Sequence, residues 1–434
     1  MSFSWANWGR NQTCYPKKIF RPENLEELQA VIKEAQAQKV NVHAFGAGHS
    51  WSNLVPTSGY LIKTDQLNRL LEVDLEKKQV RVEAGMPLHR LIQHLDAHGL
   101  AMTNLGRVTK QSIGGATSTG THGTGHTPTL ASFITEVELV LADGSLHKLS
   151  ATENGQQFAA ARLALGSLGI LYSVKLQCES SFVLTDQCSI MNAAFVFEKY
   201  AELLQKNDYW MFEWNPYTEK ALVYSWNRTR LPVKKSVFRA VKNALKEATF
   251  NALTALLRPF PQCTPKLVDL RFWFSTHALR ADKSYKVLTR SYLGMRYVEC
   301  EMSVKPHVLP DAVRELKVLF KAFAKEGKGI YVPRVTFRFV AEEKGSLLSP
   351  TYDGNRVFIS LVMPAHSAFE RVFSEYQKRM RAFEARPHWG KIHFMDQALA
   401  EQLYDNNLRE FLAIRQTLDP DGLFLNAQLS CFLK

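Results

Sequence analysis

The chain has 434 residues, 46% of them hydrophobic and 22% charged, the composition of an ordinary soluble globular protein with length for two or three domains. The opening residues, MSFSWANWGRNQT, lack the basic-then-apolar order of a secretory leader, and no apolar run approaches the roughly 20 residues that span a bilayer, so cytoplasmic residence is the expectation. Lys plus Arg exceed Asp plus Glu by 13, which favours anionic partners, and six scattered cysteines without a CxxC pair argue against a zinc site or a disulfide framework.

From Arg21, the segment RPENLEELQAVIKEAQAQKV predicts a helix with Pro22 near its start and Leu25, Leu28, Val31, Ile32 and Ala35 on one face. Asn41 to Phe45 follows as a strand and delivers the chain into HAFGAGHSWS at 43–52. There Gly46 and Gly48 let backbone N–H groups approach a ligand closely, as phosphate-cradling loops require. A second glycine-dense stretch, 114–125, can present a matching set of donors. Each cluster alone is equally a turn, and together they point to a nucleotide cofactor. Neither is the dinucleotide fingerprint, because Trp51 stands where the third glycine belongs and no acidic residue follows about twenty positions on in a clear strand.

Strands are expected at 60–63 and 79–83, a second amphipathic helix at 87–98, a hairpin of 132–141 with 145–149 around Ala142-Asp143-Gly144, and a strand at 171–177. The alternation suggests a compact α+β domain ending near residue 178. Beyond it the chain is richer in aromatics. In 296–304, Tyr297, Glu299, Glu301 and Ser303 alternate with apolar residues; in 331–340, Val332, Arg334, Thr336, Arg338 and Val340 share one face. Such a face is either the wet side of an antiparallel sheet or the floor of a substrate cavity. Between Arg228 and Lys246 basic residues gather, with Lys235, Arg239, Lys242 and Lys246 spread around Val237, Val241, Ala244, Leu245 and Ala248. That pattern suits an anionic membrane surface or a solvated helix beside a lid. No recognised nucleic-acid module accompanies the charge, so no nucleic-acid partner is expected. The tail carries a turn at 419–422, and its apolar remainder is expected to pack on an earlier domain.

Six motifs, GAGHS at 46–50, QSIGGATSTGTHGTG at 111–125, GSLGIL at 166–171, LLSP at 347–350, PHWGK at 387–391 and DPDGLFLN at 419–426, follow one another along the chain. In their kind and order the chain resembles the vanillyl-alcohol-oxidase-type flavoproteins, and within them the sugar-lactone and alditol oxidases. The resemblance implies an α+β fold. A two-subdomain FAD-binding domain would span 1–178, a cap domain with an antiparallel sheet 179–385, and a C-terminal segment returning to the FAD domain 386–434. It implies FAD attached covalently through His49, and a lining drawn from Ala44, Phe45, Gly46, Ala47, Gly48, Ser50, Ser112, Gly115, Thr119, Gly120, Thr121, His122, Ile170 and His388. The pair His122 and His126 is separated by glycine, against a helical metal pair, and no metal is expected. Gly106 matches a position beside the flavin ring where glycine accompanies oxidase behaviour in relatives.

The implied chemistry is oxidation of a CH–OH carbon of a sugar lactone, polyol or sugar acid. Hydride passes to flavin N5, the hydroxyl proton leaves, and oxygen or another acceptor regenerates the flavin. Arg338 and Lys391 are the candidates for stabilising negative charge, and Ser360 for touching substrate. Glu301 is a further carboxylate that nothing in the sequence sets beside the ring. Two positions depart from the family pattern. Arg107 replaces the usual serine beside Gly106, and Thr336 replaces the glutamate of a Glu-x-Arg pair that ends at Arg338. Arg107 and Arg334 would suit a carboxylate- or phosphate-bearing sugar. A lipid-linked or phosphorylated sugar is therefore an alternative substrate, and a flavoprotein altered in catalysis or a cofactor-free basic binder are alternative identities.

Overall fold

The computed structural model describes residues 4–233, 237–289, 296–326 and 329–434, with the backbone alone at 237–244 and 247. The helix expected after Arg21 runs Leu25–Ala37. Asn24 caps it by accepting from Glu27 N at 2.9 Å, so Pro22 stands before the cap rather than in the first turn. Leu28, Val31, Ile32 and Ala35 are buried against Val42, Tyr60 and Ile62. Those residues belong to a parallel sheet in which Tyr60–Lys63 lies between Lys18–Phe20 and Val42–Phe45.

An antiparallel sheet follows, ordered Leu146–Ser150, Ile134–Val140, Ile170–Gln177, Gln79–Glu83 and Leu70–Asp74. The hairpin forms at the expected turn, with Gly144 at φ +81° and Leu146 opposite Val140. Leu70–Asp74 was not anticipated from the sequence. It is an edge strand with its two central-most exposed positions, Leu71 and Glu72, adjacent, so it shows no clean alternation.

The third large unit is an antiparallel sheet ordered His277–Lys283, Val183–Asn192, Lys220–Thr229, Tyr209–Asn215, Arg334–Val340, Arg356–Pro364, Tyr297–Val304 and Arg386–Pro387. Strand pairing begins at Arg334 rather than at Tyr331, because Pro333 has no N–H for the ladder. One face is dry: Phe212, Phe337, Ile359 and Met302 stand in register across four strands. They share an apolar cluster with residues of the helices Leu309–Lys325 and Phe369–Met380. Phe212 and Phe337 stack with ring centroids 4.6 Å apart. The other face is polar, and the candidate site is built on it.

The tail returns as expected. Val42 N donates to Leu423 O at 2.9 Å, and Asn426 Nδ2 donates to Asn53 O at 2.8 Å and Pro56 O at 3.0 Å. These bonds hold the chain's last turn beside the loop that carries His49. The basic segment contains a helix, Val237–Leu257. The side chains of Lys235, Val237, Arg239, Val241, Lys242 and Ala244 lie outside the described residues, whereas Leu245 is 67% exposed. No described helix is long and apolar enough to cross a membrane.

Phe337 is fully buried between Phe212 and Phe197. Phe337→Ala is expected to cost about 3–5 kcal/mol of unfolding free energy, read as a lower urea midpoint at unchanged slope.

Candidate active site

Two loops meet at one cleft. A Cβ on Gly46 would lie 2.0 Å from Ser112 Oγ, and Gly48 has φ +64°, so both loops reach this approach only because these positions lack side chains. Ser112 caps a short helix, Ile113–Ser118, that opens toward the cleft. This helix was not anticipated within the glycine-dense stretch, whose composition reads as loop. The cleft encloses about 600 Å³ and is lined by Trp5, Phe45, Gly46, Gly48, Lys110 and Ser112, with Ala47 and Lys63 also on its wall. A large cleft with glycine backbone on one side and lysine on another fits the pyrophosphate of a dinucleotide cofactor.

His49 leaves this loop half-buried, its ring 5.4 Å from that of Trp8. Burial, with Lys110 and Lys391 nearby, pulls its pKa down to about 4. The imidazole is therefore neutral at neutral pH and keeps a nitrogen lone pair, as a covalent bond to flavin requires. Thr119 packs against Gly390, where a Cβ would lie 3.2 Å from Thr119 Oγ1. Gly106 faces Thr121; Gly115 lies in the short helix, and Gly120 and Thr121 form the turn leading from it to His122. Ala44 and Phe45 sit on the strand entering the loop, and the Ser50 carbonyl accepts from Asn7 Nδ2 at 2.9 Å. Ile170 is buried in the core beneath the first helix.

The polar face of the large sheet supplies the remaining groups. Glu213, Thr336, Ser360 and Glu301 stand directly opposite one another on four adjacent strands, so they share one face as a row. Arg338 and Arg334 flank Thr336 on the same face, and Glu299 flanks Glu301. Lys391 Nζ lies 2.5 Å from Glu299 Oε2 and 4.6 Å from the Trp51 ring centroid. Ser360 Oγ donates to the other oxygen of Glu299. Burial pushes the Glu299 carboxyl up, but Lys391, Arg338 and Arg334 outweigh it, with Glu301 opposing, and hold it below its ordinary value. At Glu301 burial again opposes ionisation, and Arg338 and His122 prevail, leaving the carboxyl well below its ordinary value.

His122 and His388 join the row from outside the sheet. Their rings lie 5.4 Å apart, and His122 packs 4.0 Å from Phe358. With Glu301 they offer ligand atoms within 4.8 Å of one another, a spacing that resembles a metal site. However, His388 Nδ1 accepts from Gly390 N at 3.0 Å, which leaves the proton on Nε2. His388 is then a donor rather than a ligand through that nitrogen.

The fold thus gathers Thr336, Arg338, Ser360, Lys391, His122 and His388 around Glu299 and Glu301. Arg107 stands farther along the face, its guanidinium 5.2 Å and 5.4 Å from the rings of Tyr224 and Trp226, beside Met211. Glu213 was missed. It pairs with Arg271 and lies directly opposite Thr336, so the row has carboxylates at both ends although Thr336 itself carries none. The alternation of 296–304 signalled Glu299 and Glu301; nothing local signalled which strands would pair beside them.

The profile of a family described as FAD binding domain matches residues 16–150, and that of D-arabinono-1,4-lactone oxidase matches residues 174–431. The chain is 31% identical to L-gulonolactone oxidase of Bos taurus over 437 residues, covering 98% of this chain and 97% of the relative. It is 32% identical to L-gulono-1,4-lactone dehydrogenase of Mycobacterium tuberculosis over 429 residues, covering 98% of each. Among solved structures, cholesterol oxidase from B. sterolicum superposes with TM-score 0.83 at 15% identity, covering 100% of this chain and 97% of that one. Xylooligosaccharide oxidase from Myceliophthora thermophila superposes with TM-score 0.70 at 16% identity, covering 98% and 93%. Both structures share the fold.

Burial also holds His43 and His393 at about 4. A histidine whose folded pKa lies below its unfolded value of about 6.5 stabilises fully only above 6.5, and the stability is lost as pH falls toward 4. The melting temperature is therefore expected to fall between pH 6.5 and 4.5, above the range in which Asp186 and Asp353, both near 2, contribute. A flat melting temperature across that window would contradict neutral burial of these rings.

Proposed function

We propose, since the chain belongs to the D-arabinono-1,4-lactone oxidase family of FAD-dependent oxidoreductases, that it oxidises a CH–OH carbon of an uncharged sugar lactone on the row Glu213, Thr336, Ser360 and Glu301. The observation that carries this reading is the pairing of the nearby cations. Arg338 lies 3.8 Å from Glu301, Lys391 is bonded to Glu299, and Arg271 is paired with Glu213. A row of hydroxyls and carboxylates whose cations are matched suits the hydroxyls of a neutral substrate better than a phosphate or carboxylate. Hydrogen bonds from substrate hydroxyls to ionised carboxylates are of the strong, charge-assisted kind. Thr336 then costs the site no carboxylate overall, since Glu213 stands directly opposite it and Glu301 ends the row beyond Ser360.

When bound, FAD supplies the hydride acceptor at N5. The two glycine loops and Lys110 would hold its phosphates, and His49 would carry the covalent bond. Lys391, over the Trp51 ring and behind the His49 loop, would face the developing charge, with Arg338. Gly106 would leave the approach to the ring open to oxygen, and the position tolerates no larger residue easily, since an added Cβ would lie 2.7 Å from Thr121 Cγ2. The functional division is 1–178 for cofactor, 179–385 for substrate and 386–434 for closing the cofactor unit. The return of the tail to Val42 and Asn53 supports assigning the last segment to the cofactor unit.

A second reading, peripheral contact with an anionic membrane, is supported at a different place. Leu245, Leu256, Phe260 and Trp273 are exposed, within a segment, Arg228 to Trp273, that holds ten Lys or Arg against Glu247 and Asp269. Sedimentation with phosphatidylglycerol vesicles but not with phosphatidylcholine vesicles would support it.

Anaerobic mixing with L-gulono-1,4-lactone or D-arabinono-1,4-lactone is expected to bleach the flavin, and a phosphorylated sugar is expected not to. In Lys391→Met the reduction should slow by about 100-fold or more. Bleaching by the anionic sugar alone would overturn the neutral-lactone reading.

A further inference from the structure

Glu301 is fully enclosed, yet neither of its oxygens has a hydrogen bond among the described residues. A buried acceptor left so costs about 1–3 kcal/mol, and more when charged. Arg338 at 3.8 Å is near enough to stabilise the charge but too far to satisfy it, and His122 Nε2 lies 3.7 Å away. His122 itself deepens the deficit. Its Nδ1 donates to Gly123 O at 2.9 Å, which turns Nε2 toward Glu301, and Nε2 also lacks a hydrogen-bond partner. Two buried acceptors thus converge, and among the described residues neither receives a hydrogen bond.

A ligand presenting two neighbouring hydroxyls there would satisfy both, one proton to each. The surroundings select such a ligand: Ser360 is directly opposite Glu301, Thr336 is next in the row, and Lys391 and His388 close the side. Glu299 is the like charge on the same strand, already engaged by Lys391 and Ser360. Cys300, between them, joins the apolar cluster on the other face.

We propose that Glu301 is the proton acceptor for the hydroxyl of the carbon being oxidised, with His122 Nε2 accepting from the neighbouring hydroxyl and so orienting the substrate. The inference rests on the proposed function above. The O–H bond breaks and its proton goes to Glu301. The C–H bond breaks and its electron pair leaves as hydride to bound FAD. A C=O bond forms, the substrate loses two electrons and the FAD gains two. Arg338 beside it holds the carboxyl well below its ordinary value, so the acceptor is ionised at neutral pH.

The test uses flavin-loaded wild type, Glu301→Gln and Glu301→Asp, mixed anaerobically with L-gulono-1,4-lactone across a pH series. Three quantities are read: flavin content, lactone dissociation constant from the flavin spectral perturbation, and flavin reduction rate. Glu301→Gln is expected to keep its flavin and to bind lactone within about threefold of wild type, while reduction falls about 10²–10⁴-fold. Its residual rate should climb with pH as hydroxide substitutes, where the wild-type rate is flat, and Glu301→Asp should recover part of the loss. Reduction within tenfold of wild type would overturn the proposal. So would a loss that tracks the wild-type pH profile and is not relieved by aspartate. If Glu301→Gln does not hold flavin, Glu301→Asp decides alone: a slowed rate at unchanged lactone affinity supports the assignment, and an unchanged rate overturns it. Wild-type flavin bleached by a polyol or an aldonate but not by lactone would overturn the lactone reading only, and the same series is then run on that substrate. Wild-type flavin that no CH–OH compound bleaches overturns both.

Discussion

Two carboxylates on one buried strand, Glu299 and Glu301, set the terms for the site. Neither can be buried ionised unless positive charge is brought to it from elsewhere in the chain. The large sheet brings Arg338 from the strand Arg334–Val340, the segment after Arg386–Pro387 brings Lys391 and His388, and the second glycine stretch brings His122. These groups come from positions as far apart as 122 and 391 and meet around Glu301. The dry face of the same sheet, with its stack of Phe212 on Phe337, makes the arrangement rigid enough to hold an unsatisfied acceptor in place.

The glycine loops answer a different constraint. A cofactor's phosphates must be approached by backbone, and backbone can close on backbone only where Cβ atoms are missing, as at Gly46 beside Ser112. The tail locks this geometry by bonding to Val42, Asn53 and Pro56 on either side of the His49 loop. The cofactor cleft therefore depends on the last residues of the chain, which explains why a turn as distant as Asp419 to Gly422 belongs to it. Asp419 accepts from Leu423 N and Phe424 N, and so aims the apolar residues at the first helix.

Local chemistry was legible in the sequence and non-local pairing was not. The helix Leu25–Ala37 follows from a 3.6-residue spacing, the hairpin from Asp143-Gly144, and the polar faces of 297–304 and 334–340 from a two-residue spacing. The two glycine loops and His49 stood out by composition and by resemblance to known flavoproteins. What could not be seen was register. That Glu301 faces Ser360, and Thr336 faces Glu213, depends on pairing strands about 60 to 120 residues apart, and no neighbouring residue encodes it. Thr336 therefore read as a lost carboxylate, although the strand beside it restores one at Glu213. Arg107 and Arg334 read as surplus charge for an anionic substrate because their aromatic neighbours, Tyr224, Trp226 and Tyr297, come from other strands.

The claim on which everything else stands is that the cleft between the glycine loops holds FAD beside this buried row, bonded to His49. The most direct measurement is the visible absorption spectrum of the purified protein, taken again on pellet and supernatant after acid precipitation. A yellow protein whose colour stays with the pellet, and moves to the supernatant in His49→Ala, is the predicted result. A colourless protein that takes up no FAD on incubation would contradict the account.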